Sequence, residues 1–346
     1  MMMNEPTPMA VIHGALTEHE PMAKHVTWRA GGVARYAFRP ADASDLVAFF
    51  HSHRAQLDEF PPLFVGLGSN LLVRDGGIAA TAIFTHPGLQ SIHVVGDVGD
   101  GGYGGDAVRT GRAAQSDNAA NAGDTVTIVA EVGVAAPKLA RFAANHSLEG
   151  AEFLAGVPGT VGGALTMNAG CYGSQTWEHA RAAAVIDRDA RITSRNRDRF
   201  EIGYRHVAAQ FATLGRDAWF MSATFEFTRG DGDRSRERIK ELLAKRVATQ
   251  PLQLPNAGSV FRNPHGDHAA RLIQCCGLKG FAIGGARVSE KHANFIVNPG
   301  GAGSAYDIEA LIAHVRRVVA DRTGIELEPE VRIVGEVGGT TEAVST

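Results

Sequence analysis

The chain has 346 residues, with 34 Lys+Arg against 37 Asp+Glu and a formal charge of −3. That length accommodates two or three domains and a sizeable core without disulfide staples. The near-balance of charge leaves no basic excess for a nucleic-acid backbone or an anionic membrane, so small-molecule partners are expected. With 44% hydrophobic and 21% charged residues the composition is that of an ordinary globule, and only glycine, at 41 residues, stands out. That is roughly twelve per cent against an average of about seven. Either the chain is loose, or its backbone approaches something closely at several places.

Three cysteines, two of them the neighbours Cys275 and Cys276, make a poor disulfide framework and point to a reducing compartment. Met1 to Leu16 carries Glu5, two prolines and His13 where a signal peptide needs a basic patch and an apolar run. No apolar stretch approaches the ~18 residues of a membrane span. A cytoplasmic protein, not bound to membrane, is expected.

In chain order, Ala41–Leu57 reads as a helix, with Leu46, Val47, Phe49 and Phe50 at helical spacing and Asp42 or Ser44 as N-cap. Leu63-Phe64-Val65 and Ile78–Thr85 read as strands, and a first boundary falls near His86-Pro87-Gly88. Ser91–Val95 is a short apolar run. Residues 96 to 124 are Gly, Asp, Ala and Asn almost throughout, without core-forming periodicity, and read as a long loop inserted between strands. Thr125–Val132 is again a strand, and Pro137 opens a helix with Leu139, Phe142 and His146 on one face. Strands are expected near Ala184–Arg191 and Ala218–Thr228. Ser235–Val247 is an amphipathic helix burying Ile239, Leu242, Leu243 and Val247. Ala269–Cys276 is a shorter helix, Tyr306–Val319 the clearest one, and Glu330–Val334 a closing strand. No internal repeat is seen. The divisions expected are 1–86, 87–230 and 231–346.

Two Gly-rich stretches stand out: Gly66-Leu67-Gly68-Ser69-Asn70-Leu71-Leu72, and Gly156 to Ala164 followed by Met167-Asn168-Ala169-Gly170. Glycines let backbone N–H groups reach a phosphate without a Cβ in the way. For either stretch alone, tight turns and close packing are the simpler reading; the pair serves a pyrophosphate gripped from two sides equally well. Neither is a Rossmann fingerprint, because the third glycine of GxGxxG is missing. The formal match at Gly99–Gly104 lies inside the low-complexity insert and opens no helix. No Gly-Lys-Ser/Thr follows a Gly-rich turn, so no P-loop is present.

Three further segments put polar groups beside rigid backbone: Gly203-Tyr204-Arg205, Asn256 to Pro264 with Ser259 on a small-residue turn, and Glu328 to Arg332 with Glu330 and Arg332 sharing a strand face. Ser259 lacks the GxSxG setting of a hydrolase nucleophile. As a proton donor a serine hydroxyl is so weak that only a strongly basic carbanion or enolate can use it, with Arg205 and Glu330 as charges around that anion. Taken singly, the plainer role is the better reading of each: a turn hydroxyl, a surface ion pair, a strand-start carboxylate. The fourteen histidines are scattered, with His292 and His314 single, so no metal is expected. Cys171, Cys275 and Cys276 read as packing thiols, and Glu290 and Lys291 as an exposed pair.

Together these segments resemble the UDP-N-acetylenolpyruvoylglucosamine reductase family. The matching stretches are Thr27–Gly32, Gly66–Leu72, Gly156–Gly170, Gly203–Arg205, Ala257–Phe261, Gly284–Phe295 and Glu328–Gly335. They occur in the family's order and cover most of the chain outside the termini and the insert. The resemblance implies an α+β protein: an FAD-binding fold of the para-cresol methylhydroxylase type made of two α/β subdomains, plus a C-terminal α+β substrate domain. It implies non-covalent FAD held by Gly31, Gly66, Gly68, Ser69, Asn70, Leu71, Gly156, Pro158, Gly159, Thr160, Gly162, Gly163, Asn168, Ala169 and Gly170.

NADPH as co-substrate would reduce the flavin. The flavin N5 hydride would pass to C3 of the enolpyruvyl ether of UDP-N-acetylglucosamine-enolpyruvate, giving UDP-N-acetylmuramate for peptidoglycan. Ser259 matches the proton donor to C2, Arg205 the carboxylate-binding cation and Glu330 its acidic partner, with Tyr204, Asn263 and His292 on the substrate side. A monomer is expected. The interval from Arg205 to Ser259 is short for the tyrosine-bearing loop of one subtype, and the Thr249–Leu252 approach is that of the subtype without it. An FAD-dependent alcohol or sugar oxidase of the same fold is the alternative; many of those attach flavin through His, and neither Gly-rich stretch contains one. A binding protein without turnover is the other.

Overall fold

The computed structural model describes residues 11–95 and 124–338. The expected insert lies outside these residues except for Asp124, and the Gly99–Gly104 match lies wholly outside them. The N-terminal sheet comprises β1 (Ala15–Pro21), β2 (Val33–Arg39), β3 (Pro62–Val65) and β5 (Ile78–Phe84), in the order β1-β2-β5-β3. β1 runs antiparallel to β2, while β5 is parallel to both β2 and β3. Between β2 and β3 come α1 (Ala43–Ser52) and α2 (Arg54–Glu59), and β4 (Leu71–Val73) precedes β5. Asp42 caps α1 by accepting the Asp45 amide at 2.8 Å. The helix expected over Ala41–Leu57 is interrupted at His53, the C-cap of α1. Phe49 faces inward and stacks on Phe38 with centroids 3.9 Å apart.

The second sheet runs β12-β11-β15-β7-β6 and is antiparallel throughout. Its strands are β6 (Ile92–Val94), β7 (Thr125–Glu131), β11 (Ala180–Asp187), β12 (Ile192–Asn196) and β15 (Ala218–Arg229), with β8 (Leu148–Glu149) pairing the end of β15. The strand expected over Ala184–Arg191 is shifted: it begins at Ala180 and ends at Asp187. There the Asp187 carboxylate accepts the Asp189 and Arg191 amides, each at 2.9 Å, and reverses the chain. α3 (Ala136–Asn145) carries Pro137 in its first turn, as expected. α4 (Val161–Thr166), β9 (Gly170–Cys171), β10 (Ser174–Gln175) and α5 (Thr176–His179) follow, and β13 (Phe200–Gly203) with β14 (His206–Ala209) form a hairpin.

α6 (Gly232–Thr249) packs on α3 and the 152–156 turn. Its buried positions are Gly232, Ser235, Ile239 and Leu242, so the last turns extend beyond the core. Val247, expected on the buried face, is 57% exposed. The C-terminal part holds α7 (Ala269–Cys275), a small sheet of β16 (Ala282–Ile283), β17 (Ala286–Val288) and β18 (Ile296–Val297), then α8 (Ala305–Thr323) and β19 (Arg332–Val334). α8 buries the expected stripe at Ile308, Leu311, Ile312, Val315 and Val319, begins at the Ser304–Asp307 capping box and ends at Gly324 in the left-handed conformation. Cys276 packs in this core, whereas Cys275 is exposed, a departure from the packing role expected of it.

β19 pairs parallel with β4, Ile333 opposite Leu72, and so returns the chain terminus to the first Gly-rich stretch. It starts two residues later than expected: Glu330 and Val331 precede it, with Val331 buried. Trp28, Ala30 and Leu72 belong to the C-terminal core, and the Trp28 indole donates to the Ile296 carbonyl at 2.8 Å. Asn298, fully buried, fastens this join. Its amide donates to the carbonyls of Trp28 and Gly303, and its Oδ1 accepts the Gly303 N–H at 2.7 Å. Asn298→Ala leaves these groups buried and unpaired, so a loss of about 3 kcal/mol in unfolding free energy is expected from denaturant titration.

Candidate active site

A cavity of about 370 Å³ lies where the two Gly-rich stretches meet. Gly66, Gly68, Ser69, Asn70 and Leu71 line one side, and Gly156, Pro158, Gly159, Thr160, Gly162, Gly163, Ala169 and Gly170 the other. The stretches touch: a Cβ on Gly66 would collide with Thr160 Oγ1, and one on Gly159 would sit 3.1 Å from Ser69 Oγ. Gly68 has φ +61, and its carbonyl accepts the Thr27 amide at 3.2 Å. The backbone amides of residues 67–70, and those of Gly159 and Thr160, have no acceptor among the described residues. A row of unpaired N–H donors on two facing turns is the donor set a pyrophosphate requires.

Part of the lining is apolar and includes Phe64 and Trp219, whose ring centroids stack 5.6 Å apart. The Trp219 indole N–H is buried without an acceptor. Ser259, Arg205 and Glu330 also line the cavity. Apolar walls, a run of free amides and a group of polar side chains suit an FAD molecule, and the residues present match that cofactor.

Backbone hydrogen bonds converge on these polar residues. The Glu330 amide donates to the Val260 carbonyl at 2.7 Å, and the Asn70 side chain donates to the Glu330 carbonyl at 3.0 Å. The Ser259 turn, the first Gly-rich stretch and Glu330 are thereby fixed to one another. Asn294 holds the residues after Ser259: its backbone carbonyl accepts from Val260, its Oδ1 from Phe261, and its Nδ2 donates to the Phe261 carbonyl. On the other flank Asn256 Oδ1 accepts the Gly258 amide at 2.9 Å. The half-buried Ser259 hydroxyl has no partner among the described residues.

Arg205 occupies the second position of the β13–β14 turn with φ +52, a conformation that ordinarily selects Gly or Asn there. Such strain is kept where the surroundings over-determine it. Its Nη groups donate to the carbonyls of Asn168 and Gly170, and its Nε lies 2.8 Å from Glu330 Oε1, an ion pair too poorly aligned for a hydrogen bond. Arg262 donates to the Arg205 carbonyl at 3.3 Å. Burial raises the Glu330 carboxyl above its usual range, with Arg205 and Arg262 pulling the other way. Burial likewise pushes the Cys171 thiol, on the same wall, up to about 11, which keeps it protonated and unreactive at neutral pH.

The Glu330 shift has a consequence for stability. A carboxyl whose folded pKa is raised binds its proton more tightly folded than unfolded. Its favourable contribution is complete below the unfolded value of 4.5 and is lost as pH rises through the higher folded value. Denaturant midpoints measured between about pH 4 and 8 should therefore fall more with pH in the parent than in Glu330→Gln; equal slopes would contradict the shift.

Other expected site residues lie off the cavity wall. Gly31 packs its backbone on Val73, and the buried Asn168 is a clip: its amide donates to Gln175 and to the Gly203 carbonyl, and its Oδ1 accepts the Trp177 amide. Tyr204 is half exposed, with its ring beside the Arg205 guanidinium, 5.5 Å from the ring centroid. Asn263 Oδ1 accepts the Ala269 amide at the start of α7, and His292 Nδ1 accepts the Asn294 amide. The Lys291 amine donates to the Val247 carbonyl at 2.6 Å. Arg246 and Trp219 are among the wall residues that escaped the sequence reading. Arg246 lies one turn beyond buried Leu242 on α6, a spacing that could have revealed it, whereas nothing local marks Trp219.

A family model for an FAD-binding domain matches residues 34–194, which agrees with the cavity and defines an FAD-binding flavoprotein. A second, described as UDP-N-acetylenolpyruvoylglucosamine reductase, C-terminal domain, matches residues 250–334. A UDP-N-acetylenolpyruvoylglucosamine reductase of Thiobacillus denitrificans is 51% identical over 94% of this chain and 94% of its own length. One of Methylococcus capsulatus is 47% identical over 93% and 94%. The crystal structure of UDP-N-acetylenolpyruvylglucosamine reductase from Thermus caldophilus superposes with a TM-score of 0.67 at 25% identity, covering 93% of this chain and 99% of that one. The chain belongs to the UDP-N-acetylenolpyruvoylglucosamine reductase family. Among the described residues no helix is long and apolar enough to cross a membrane.

Proposed function

We propose that this chain is an FAD-dependent, NADPH-consuming reductase acting in the cytoplasm on the enolpyruvyl ether of a UDP-amino sugar, in the synthesis of peptidoglycan precursors. The observation that carries the reading is the placement of Ser259, Arg205 and Glu330 on one wall of the cavity that the two Gly-rich stretches enclose. Residues 1–86, 87–230 and 231–346 are read as two FAD-binding subdomains and a substrate domain.

FAD bound there supplies the hydride that adds to C3 of the enolpyruvyl group. The remaining chemistry falls to side chains. Two of the five Arg205 N–H donors are taken by backbone carbonyls and the Nε faces Glu330, leaving two for the substrate carboxylate. That cation sits where the negative charge of the enolate develops. The unpartnered Ser259 hydroxyl protonates C2; with the hydride at C3 this completes addition across the double bond. The Ser259 oxygen must then regain a proton from solvent, directly or through the Glu330 carboxyl that lines the same cavity. The segment from Arg205 to Ser259 is occupied by β14, β15 and α6, in keeping with the subtype without the tyrosine loop.

Anaerobic mixing with NADPH, then with UDP-N-acetylglucosamine-enolpyruvate, tests the reading. Bleaching of the flavin by the first and its return on the second are expected. A flavin that the sugar nucleotide cannot reoxidise contradicts it.

A further inference from the structure

Arg262 follows Ser259 closely in the chain, and the chemistry above gives it no task. Its guanidinium forks. Nη2 donates to the Arg205 carbonyl at 3.3 Å, and Nη1 lies 3.5 Å from Glu328 Oε2. The Glu328 pair contributes little, because that carboxylate is 74% exposed and screened by water. The Arg262 Nε is buried without an acceptor among the described residues, a cost that an arginine kept only for a surface ion pair need not bear. The bond to Arg205 is what remains to set against that cost.

That bond ends on strained backbone. Arg205 has φ +52, and turning it back towards the ordinary region would swing its carbonyl away from Arg262. Asn168 holds the same turn from its own side, by donating to the Gly203 carbonyl at 3.0 Å. Arg262 holds it from the segment that carries Ser259, and is itself firmly rooted. Its amide donates to the Glu328 carbonyl at 2.9 Å, Phe261 bridges to Pro329, and Asn294 bonds both the N–H and the C=O of Phe261. The Ser259 segment and the Arg205 turn are thus joined through a side chain fixed at both ends.

We propose that Arg262 is a positioning residue: it keeps the Arg205 turn in its strained form, so that the two uncommitted Arg205 N–H groups stay aimed at the ligand carboxylate beside Ser259. The proposal rests on the carboxylate-binding role given to Arg205 above. Arginine suits the task better than lysine, because its planar fork donates to Arg205 and faces Glu328 from one fixed geometry.

The test is a double-mutant cycle on holoenzyme, with Arg262→Met, Arg205→Gln and the two combined. Calorimetric titration uses two probes: the carboxylate-bearing product UDP-N-acetylmuramate, and UDP, which has no carboxylate. Arg262→Met is expected to weaken product binding about tenfold and to leave UDP at the parent affinity. In the Arg205→Gln background the same substitution should cost less than about twofold, since the group it positions is gone. Should Arg262→Met lose its flavin, Arg262→Lys carries the same cycle, with a smaller loss for the product. Losses that add across the two positions, equal weakening of both probes, or unchanged product affinity overturn the proposal. Parent holoenzyme that binds neither probe would instead overturn the reductase reading.

Discussion

Ser259→Ala is expected to lower turnover about a thousandfold or more, which corresponds to roughly 4 kcal/mol of transition-state stabilisation. Reduction of the bound flavin by NADPH should proceed as in the parent, because no proton is delivered to substrate in that half of the cycle. The size of the effect follows from the position of the hydroxyl. It has no hydrogen-bond partner among the described residues and lines the cavity, and its backbone is held from both flanks by Asn256 and Asn294. Removing Oγ leaves that scaffold in place and deletes only the donor, so FAD content and thermal stability should be unchanged. Stopped-flow absorbance separates the halves: fast bleaching by NADPH followed by slow reoxidation by the enolpyruvyl sugar nucleotide is the expected pattern. Near-normal turnover would remove Ser259 from the chemistry.

Gly68→Ala should weaken FAD binding by about a hundredfold while the protein remains folded. Two costs act at one atom. A left-handed φ of +61 is unfavourable for alanine by roughly 1–2 kcal/mol, and the new Cβ would collide with the carbonyl oxygen of His25. Relief requires the turn to move off the His25–Val26 backbone, carrying with it the unpaired amides of residues 67–70. A shift of that kind spoils several donors at once. Equilibrium titration of flavin-stripped protein with FAD measures the loss directly. Gly324→Ala is the control, since Gly324 shares the left-handed conformation but lies outside the cavity, and a Cβ there meets nothing within 4 Å: normal affinity is expected, which would show that the turn at Gly68, and not glycine content as such, is responsible.

Much of the scaffold was legible because its signals are local. The stripe of α8 and its terminal Ser304 and Gly324 can be read from neighbouring residues alone, as can the Pro137 start of α3. The strands β1 and β2 were not anticipated. His19, Glu18 and Glu20 interrupt β1, and its pairing partner lies twelve residues on, so its stability comes from tertiary pairing rather than pattern. Val247 was misplaced because periodicity states which face is apolar, not where the packed partner ends. Glu330 was placed in a strand that begins two residues later, because the bonds holding it come from Val260 and Asn70, some 70 and 260 positions away. The candidate site divides in the same way. Glycine-rich turns announce themselves in sequence, whereas the use of Asn263 in capping α7, and of Asn168 as a clip, depends on neighbours the sequence does not display.

The central claim is that the two glycine turns hold FAD with its reactive ring facing the Ser259 hydroxyl. A crystal structure of the holoenzyme tests it most directly. The account predicts the pyrophosphate on the amides of residues 67–70, Gly159 and Thr160, and the isoalloxazine beside Ser259, Arg205 and Glu330. Flavin bound with its ring away from Ser259, or outside this cavity altogether, would contradict it.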